Sequence, residues 1–355
     1  MSNKHIKYLS KKKVQGIKCD YLFLIGERSN GKSYCVKSIA IEHAIKTGRM
    51  FIYLKRYDLE VKDSLCVQYF ADMPIQEMTE GKYTCIDVFR KGIYLANVDP
   101  ETGRYVHGQK IGLCHSLSGA EHYKSLAFPD VDIILYEEVI SMNGQYLQPN
   151  EPDMLQQYVS TIFRNNRKGK VYLIANTISR ICPYYYNWEL DTSSMKLGEI
   201  KHFIKGETDI AVYRTSSLGV NTGMFFGRAA KNITEGDYVT EEMPRLPDDV
   251  RKYKCIYSMV LHHENFMFLL QLMEHEESGD ITWYCTPKTS KIEKNTRVIS
   301  STFSTDPMYS RLLEGITVKE QEVIRMIYAG KICFSDDLTG TEFYALLPKF
   351  RKVRS

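Results

Sequence analysis

A glycine-rich loop between an apolar strand and an amphipathic helix constrains this chain more than any other feature. Residues Tyr21–Ile25 form a short run of strand-favouring side chains. The residues that follow, Gly26–Ser33, match the pattern G-x-x-x-x-G-K-[ST] at each fixed position. Apolar residues at helical spacing continue over 36–44, and Gly48 stands where such a helix would end. Strand, loop and helix in this order predict a phosphate-binding loop within an α/β fold.

The chemistry of this loop predicts that the ligands are ATP and Mg²⁺. Glycines allow backbone N–H groups to surround an anion, and the helix N-terminus adds positive partial charge. Lys32 is expected to reach the outer phosphates and the Ser33 hydroxyl to bind the metal. Arg28, inside the loop, is expected either beside bound phosphates or facing a neighbouring subunit. The predicted ATP-binding residues are Gly26, Glu27, Arg28, Ser29, Asn30, Gly31, Lys32, Ser33 and Tyr34.

A second apolar strand ends in two acids, the arrangement of a Walker B motif. Val131–Tyr136 precedes Glu137 and Glu138. The first acid is predicted to hold Mg²⁺, and the second to polarise the water that attacks the phosphate. Glu137 stands where aspartate is more usual. Acids at strand ends are common in α/β proteins, but together with the loop this pair favours hydrolysis over nucleotide binding alone.

Four further polar residues follow predicted strands or helices. Asn176 fits either a sensor near the γ-phosphate or an ordinary strand-end turn. Arg164, just past a predicted helix and expected near the nucleotide edge of the sheet, is either an arginine finger or part of a basic surface loop. Lys55 and Arg56 end another strand, where they contact nucleotide or DNA or are simply solvated.

Composition excludes several classes of protein. The 355 residues contain 47 Lys and Arg against 43 Asp and Glu, and this net charge of +4 does not by itself indicate a nucleic-acid partner. Nine scattered cysteines without a C-x-x-C pair argue against a zinc site or a disulfide framework and favour a reducing cytoplasm. No apolar run approaches the roughly 20 residues of a membrane span, and the basic N-terminus lacks a signal-peptide core. The basic ends, 11–13 and 349–354, are either solvated tails or phosphate contacts.

Several segments together resemble the motifs of one protein family. They are the loop, the strand Phe51–Tyr57, the acidic strand, and Ile162–Asn165 followed by Ile174–Asn176. They are similar to the DNA-encapsidation ATPases of short-tailed phages with small, protein-primed genomes, and to the ATPase part of large terminases. The likeness covers residues 20 to about 190 and is faint beyond about 210, where it rests on Phe226–Arg228.

The resemblance implies a motor that uses ATP to drive double-stranded DNA through the portal into an empty procapsid, in the host cytoplasm. It further implies a homo-oligomeric ring, pentameric in the family, and leaves a packaging RNA open as a partner. By the same resemblance Lys32 binds phosphate, Glu137 holds Mg²⁺ and Glu138 is the catalytic base. Arg164 resembles a finger that acts across a subunit boundary, and Lys124 a second trans-acting cation.

The predicted fold class is α/β, with three segments. A P-loop ATPase domain of the additional-strand, catalytic-glutamate type, with a mainly parallel sheet, spans 1–205. A glycine- and proline-containing connector spans 206–248. A smaller α+β domain spans 249–355, with a three-stranded meander, a short helical stretch at 309–313 and a helix at 318–327.

The meander fits a degenerate RNase-H-like fold as one reading of the C-terminal domain. A nuclease of that fold needs several carboxylates around two metals, whereas Glu264 and Asp280 fall in predicted turns. We therefore expect a domain without nuclease activity that binds DNA, portal or RNA.

Two other functions stay open at this stage. The chain could be a RecA-like helicase or another P-loop phosphoryl-transfer enzyme. Stimulation of ATP hydrolysis by double-stranded DNA would distinguish a packaging motor from these. It could also be a non-hydrolysing nucleotide-binding or scaffold protein, against which the tandem Glu137–Glu138 argues.

Overall fold

The structure is a computed structural model, and it describes residues 9–350 except 142–144, 149, 165–168, 177–181, 193–194, 216–241, 265, 289–291, 294–295, 302–308 and 312–317. Contacts within the chain divide it into unit 1 (Met1–Asp237) and unit 2 (Tyr238–Ser355). Within the described ranges, no helix combines the length and apolar character that crossing a membrane requires.

Unit 1 is built on a sheet of nine strands. In chain order they are β1 (Tyr21–Gly26), β2 (Met50–Lys55), β3 (Cys85–Phe89), β4 (Gly92–Val98), β5 (Tyr105–Ser116), β6 (Val131–Glu137), β7 (Lys170–Asn176), β8 (Ile200–Lys205) and β9 (Thr208–Arg214). Their order across the sheet is β3-β4-β5-β2-β6-β7-β1-β9-β8. The six central strands, β5, β2, β6, β7, β1 and β9, run parallel. Antiparallel strands extend the sheet on both sides, β4 and β3 beside β5 and β8 beside β9. The predicted α/β class with a mainly parallel sheet is confirmed.

Helices cover both faces of this sheet. They are α1 (Lys11–Gly16), α2 (Lys32–Thr47), α3 (Asp63–Phe70), α4 (Ile75–Met78), α5 (Glu151–Ile162) and α6 (Pro183–Asn187). Leu22 and Leu24 of β1 pack on the face that α2 covers, whereas Phe23 and Ile25 pack on the face that α5 and α6 cover. Because successive side chains of a strand point to opposite faces, a strand buried on both sides reads as a continuous apolar run.

The helix after the glycine loop ends as the sequence predicts. Gly48 has a φ of 73°, and its N–H donates to the carbonyl of Ala44 at 2.9 Å. A residue with positive φ at this position closes the last turn of a helix, and glycine adopts that conformation without strain.

The range predicted as connector contains a strand of the large sheet. Within 206–248, β9 pairs in parallel with β1, from Tyr21 opposite Ile210 to Ile25 opposite Arg214. Its four consecutive residues Ile210–Tyr213 are buried, so the connector prediction is wrong for this part of the range. Residues 216–241, which include Phe226–Arg228, lie outside the described residues.

Unit 2 contains a sheet of six strands. They are β10 (Tyr253–His263), β11 (Phe266–His275), β12 (Ile281–Pro287), β13 (Arg297–Ser300), β14 (Tyr309–Arg311) and β15 (Ile332–Phe334), in the order β14-β13-β10-β11-β12-β15. Strands β10, β11 and β12 are antiparallel, which confirms the predicted meander. The other three strands join in parallel.

Among its described residues, two helices accompany this second sheet, α7 (Val318–Tyr328) and α8 (Asp337–Leu346). The helix predicted at 318–327 is confirmed. The helical stretch predicted at 309–313 is wrong, because Tyr309–Arg311 forms β14 beside β13. Periodicity does not separate helix from strand over so few residues.

Candidate active site

The six parallel strands of unit 1 end at one edge of the sheet, which we call the carboxyl edge, and four of them carry predicted site residues or their neighbours there. The last residues of these four are Gly26 in β1, Lys55 in β2, Glu137 in β6 and Asn176 in β7. In an open α/β sheet, ligands bind outside the carboxyl ends of the strands. The loop and both acids predicted from the sequence therefore lie together at the edge where that rule places a ligand.

Lys32 lies buried at the centre of the predicted phosphate loop. Its Nζ donates to the carbonyl oxygens of Gly26 at 3.0 Å and Glu27 at 2.6 Å, and to Oδ1 of Asn30 at 3.1 Å. It also lies 3.5 Å from Oδ1 of Asn176, the predicted sensor. The lysine is thus held by neutral oxygens at the point where its charge would meet a phosphate.

Burial lowers the pKa of the Lys32 ammonium to about 8, although the nearby carboxylates of Glu137 and Glu27 act in the opposite direction. Removing an ammonium from water disfavours its charged form, and an anion beside it would restore that form. The site therefore binds an anionic ligand more tightly when Lys32 is protonated.

The loop buries the side chains of Glu27 and Asn30 and exposes others. Arg28, Ser29 and Tyr34 are exposed, and Ser29 has a φ of 60°. Gly31 caps the N-terminus of α2 with a φ of 85°. A left-handed residue at this point turns the loop so that the first N–H groups of α2 face the carboxyl edge, where helix N-termini bind anions.

Glu137 is buried and is held from two sides. The Tyr69 hydroxyl on α3 donates to Oε1 of Glu137 at 2.5 Å, and the Ser33 side chain also hydrogen-bonds to this carboxyl. Desolvation raises the pKa of Glu137, while these two hydrogen bonds lower it. Mg²⁺ prefers oxygen ligands such as a carboxylate and a hydroxyl, so the juxtaposition of Ser33 and Glu137 fits this metal.

Glu138 adopts a strained backbone at the end of the acidic strand. Its φ is 58°, a backbone conformation that residues other than glycine rarely adopt. Such strain concentrates at functional sites. Lys55 Nζ donates to its Oε2 at 2.8 Å, and the side chain of Glu138 is 58% exposed. Partial burial raises the pKa of Glu138, but Lys55, with a smaller contribution from Arg28, lowers it overall.

Arg56 forms a buried network behind this acid. Its Nε and Nη2 donate to the two carboxylate oxygens of Glu151 at 2.7 and 3.0 Å, and Nη2 reaches the carbonyls of Glu138 and Val139 at 3.1 and 3.0 Å. The Tyr136 and Tyr184 hydroxyls each donate to Glu151 Oε1 at 2.8 Å. The two strand-end cations thus bind carboxylates, so neither is a freely solvated charge.

Arg164 and Lys124 lie next to each other on the surface. Arg164 is exposed, and its Nη2 donates to the carbonyl of Lys124 at 3.2 Å. Lys124 forms an exposed ion pair with Glu121 at 2.6 Å. The two cations that the resemblance places at a subunit boundary are therefore neighbours on the surface.

The position predicted for Arg164, near the nucleotide edge of the sheet, is wrong. Helix α5 starts at the carboxyl edge, where Glu151 binds Arg56, and strand β7 returns to that edge at Asn176. Arg164, which follows the end of α5, therefore lies at the opposite edge, which we call the amino edge. The seven residues of β7 span six steps of about 3.3 Å, so the two edges are about 20 Å apart.

Sequence reasoning missed three groups that the fold brings to this site. They are Tyr69, which binds Glu137; Glu151, which binds Arg56; and Thr215, whose Oγ1 accepts from Nδ2 of Asn30 at 2.8 Å. None of the three lies in a motif. No signal in the sequence indicated them, because the burial of Arg56, which requires a carboxylate partner, is known only from the fold.

The basic residues at the start of the chain have partners within unit 1. Lys11 Nζ lies 2.5 Å from Glu42 Oε1, and Lys13 Nζ lies 4.5 Å from the centre of the Tyr213 ring. Residues 351–355 lie outside the described residues, so this part of the prediction for the basic ends stays open.

A model of the podovirus DNA encapsidation protein (Gp16) family matches residues 4–201. The chain belongs to this family. The DNA packaging protein of Bacillus phage B103 is 34% identical over 170 residues, which are 46% of this chain and 46% of that protein. The DNA packaging protein of Bacillus phage phi29 is 32% identical over 170 residues, or 47% and 46% of the two chains. The matched part thus spans about half the length of these curated relatives.

Solved structures extend the likeness in fold to nearly the whole chain. A chain of the bacteriophage Phi-29 viral genome packaging motor assembly superposes with a TM-score of 0.62 at 21% identity, covering 97% of this chain and 100% of that one. The Phi-28 gp11 DNA packaging motor gives a TM-score of 0.52 at 14% identity and covers 99% of each chain. At these identities the likeness establishes a shared fold across both units.

Proposed function

We propose that this protein is an ATPase that drives double-stranded DNA through a portal into a phage procapsid. The observation that carries the proposal is the convergence, at the carboxyl edge of unit 1, of a buried lysine, a hydroxyl–carboxylate pair and an exposed second carboxylate. Membership of the DNA encapsidation family supports DNA as the polymer that is moved. The names of the relatives and of the similar motor assemblies support a packaging role.

The loop residues would bind the triphosphate, since loop amides and the N-terminus of α2 present N–H groups to an anion. Lys32 would exchange its hydrogen bonds to loop oxygens for the outer phosphates. Ser33 and Glu137 would hold Mg²⁺, which neutralises charge on the phosphates. Asn176, 3.5 Å from the Lys32 ammonium, is close enough to sense a γ-phosphate bound there.

Glu138 would act as the catalytic base. Its carboxylate would accept a proton as a water oxygen bonds to the γ-phosphorus and the bond to the leaving ADP oxygen breaks, giving ADP and inorganic phosphate. Two features suit it to this role: the side chain is partly exposed, and its pKa is lowered by Lys55, so it is ionised at neutral pH. Arg56 holds the strained peptide in place through the carbonyls of Glu138 and Val139.

Arg164 would complete the site of a neighbouring copy in a homo-oligomeric ring. Because it lies at the amino edge, about 20 Å from its own phosphate loop, it can approach a nucleotide only across an interface between copies. Lys124 beside it would take part in the same contact. A pentameric ring and a packaging RNA rest on the family resemblance alone.

Unit 2 would bind DNA, portal or RNA without cutting DNA. Among its described residues no group of three or more His, Cys, Asp or Glu side chains is placed to hold a metal ion. Glu264 lies in the turn between β10 and β11, and Asp280 just before β12, as predicted. The meander with strands added in parallel supports a degenerate RNase-H-like fold.

The test is steady-state ATP hydrolysis by wild type, Glu138→Gln and the exposed-site control Glu101→Gln, each with and without linear double-stranded DNA. We expect DNA to stimulate the wild type and the control. Removing the base should lower hydrolysis about 10²- to 10⁴-fold while ATP still binds. Hydrolysis that ignores DNA would favour another phosphoryl-transfer enzyme, and no hydrolysis in the wild type would contradict an ATPase.

A further inference from the structure

Thr215 lies against the phosphate loop although it is far from it in the sequence. It directly follows β9, the parallel neighbour of β1, and is fully buried. Both its N–H and its hydroxyl donate to the carbonyl of Ile25, at 2.7 and 3.0 Å. Since Ile25 is the residue before the loop, Thr215 is fixed to the point where the loop leaves the sheet.

The same hydroxyl determines the orientation of Asn30. Oγ1 of Thr215 accepts from Nδ2 of Asn30 at 2.8 Å, while Oδ1 of Asn30 accepts from the backbone N–H of Lys32 at 3.3 Å and from its ammonium at 3.1 Å. A reversed amide would direct its NH₂ at two donors of Lys32. Its oxygen would then face a hydroxyl whose proton is already committed to Ile25. Only one orientation satisfies the network, and all three side chains are buried.

Close packing against Thr215 also accounts for the first glycine of the loop. A Cβ added to Gly26 would lie 1.9 Å from Oγ1 of Thr215 and 3.1 Å from Nδ2 of Asn30. No other residue fits there unless Thr215 moves. The loop and the end of β9 are therefore built as one packed unit.

We propose that Thr215 is a positioning residue of the nucleotide site: its hydroxyl fixes the Asn30 amide, which in turn holds the Lys32 backbone and ammonium in place for the phosphates. This inference rests on the proposed ATP binding. Thr215 itself makes no contact with the ligand in this scheme, so its effect passes through Asn30.

The experiment measures the affinity for a fluorescent ATP analogue, and kcat and KM for ATP hydrolysis, in Thr215→Val and Thr215→Ser. Valine keeps the shape of threonine but removes the hydroxyl, and serine keeps the hydroxyl. Thr161→Val is the matched control, because the hydroxyl of Thr161 donates at 3.0 Å to Gln157 within α5. Thermal melting identifies variants that do not fold, and Thr215→Ala replaces Thr215→Val if valine is not tolerated.

We expect Thr215→Val to weaken ATP binding about tenfold, which corresponds to about 1.4 kcal/mol. Thr215→Ser should restore affinity to within about twofold of the wild type, and Thr161→Val should match the wild type. Because Thr215 acts through Asn30, Thr215→Val should have no further effect in an Asn30→Ala background. Coupled residues give such non-additive double-mutant cycles.

Three results would overturn the inference. Unchanged ATP affinity in a folded Thr215→Val protein would show that the hydroxyl does not position the loop. Equal effects of Thr215→Val with and without Asn30 would show that it acts by another route. If the wild type failed to bind ATP, the proposed function would itself be contradicted, whereas the first two results contradict only the role of Thr215.

Discussion

The charged residues at the two edges of the unit 1 sheet differ in burial. At the carboxyl edge, Lys32 and Glu137 are buried and Arg56 is paired with a fully buried Glu151. At the amino edge Arg164 is exposed, and the Lys124 that it contacts is exposed as well and forms an ion pair with an exposed glutamate. The carboxyl edge is pre-organised within one copy of the chain. These exposed cations are available to a second copy.

The buried pair gives the largest expected difference between the edges. Glu151→Gln leaves the charge of Arg56 buried without a counter-ion, so we expect the free energy of unfolding to fall by about 3–5 kcal/mol. The matched change at the exposed pair, Glu121→Gln, should cost less than about 1 kcal/mol. Urea denaturation followed by circular dichroism measures both, and equal losses would contradict the contrast.

The next largest effect concerns the two lysines. Lys32→Ala removes the cation at the centre of the loop, and we expect ATP binding to weaken at least about 100-fold, or about 2.7 kcal/mol. Lys124 is exposed and contacts Arg164, so Lys124→Ala should bind ATP within about twofold of the wild type when no second copy is engaged. Titration with a fluorescent ATP analogue at low protein concentration makes the comparison. A large loss in Lys124→Ala under those conditions would place that lysine in its own site.

The lowered pKa of Lys32 predicts how ATP binding depends on pH. Because its pKa in the ligand-free protein is about 8, Lys32 is charged below that pH, and ATP binding above it requires the uptake of a proton. The dissociation constant should therefore be nearly constant below pH 7 and rise about tenfold between pH 7 and 9. Lys32→Arg keeps its charge over this range, so its profile should be flat. A flat wild-type profile would contradict the lowered pKa.

Tyr69 gives the smallest of these effects. Tyr69→Phe keeps the stacking on Tyr53, whose ring centre is 4.3 Å away, but removes the hydrogen bond to Glu137. We expect the Mg²⁺ concentration that supports half-maximal ATP-analogue binding to rise about threefold to tenfold, because the net loss of one hydrogen bond costs about 0.5–1.5 kcal/mol. The exposed Tyr34→Phe serves as the control. If metal dependence is unchanged in Tyr69→Phe, the tyrosine does not orient Glu137.

The sequence was sufficient for features that depend on near neighbours in the chain. The loop, its flanking strand and helix, and the acidic strand were predicted because motif spacing and periodicity are local. Contacts between distant residues were not predicted: Tyr69 with Glu137, Arg56 with Glu151 and Asn30 with Thr215 are separated by 68, 95 and 185 positions. Such pairs exist only because strand order brings them together.

The position of Arg164 shows a different kind of failure. Arg164 was correctly predicted to follow a helix, but it was placed at the wrong edge of the sheet. The alternation of helix and parallel strand already requires the turn after α5 to lie at the amino edge. That inference needs the strands to be known as parallel neighbours, which the order β6-β7-β1 establishes.

The most direct test of the division of labour between the edges is a mixing experiment. Arg164→Ala and Glu138→Gln are each expected to be inactive alone as assembled oligomers. In a random equal mixture, about a quarter of the interfaces should join an intact Arg164 to an intact Glu138, since a head-to-tail ring pairs one edge with the other. Hydrolysis should then recover to about a quarter of the wild-type rate per site. No recovery in mixed oligomers verified by mass spectrometry would contradict a role for Arg164 in the neighbouring site.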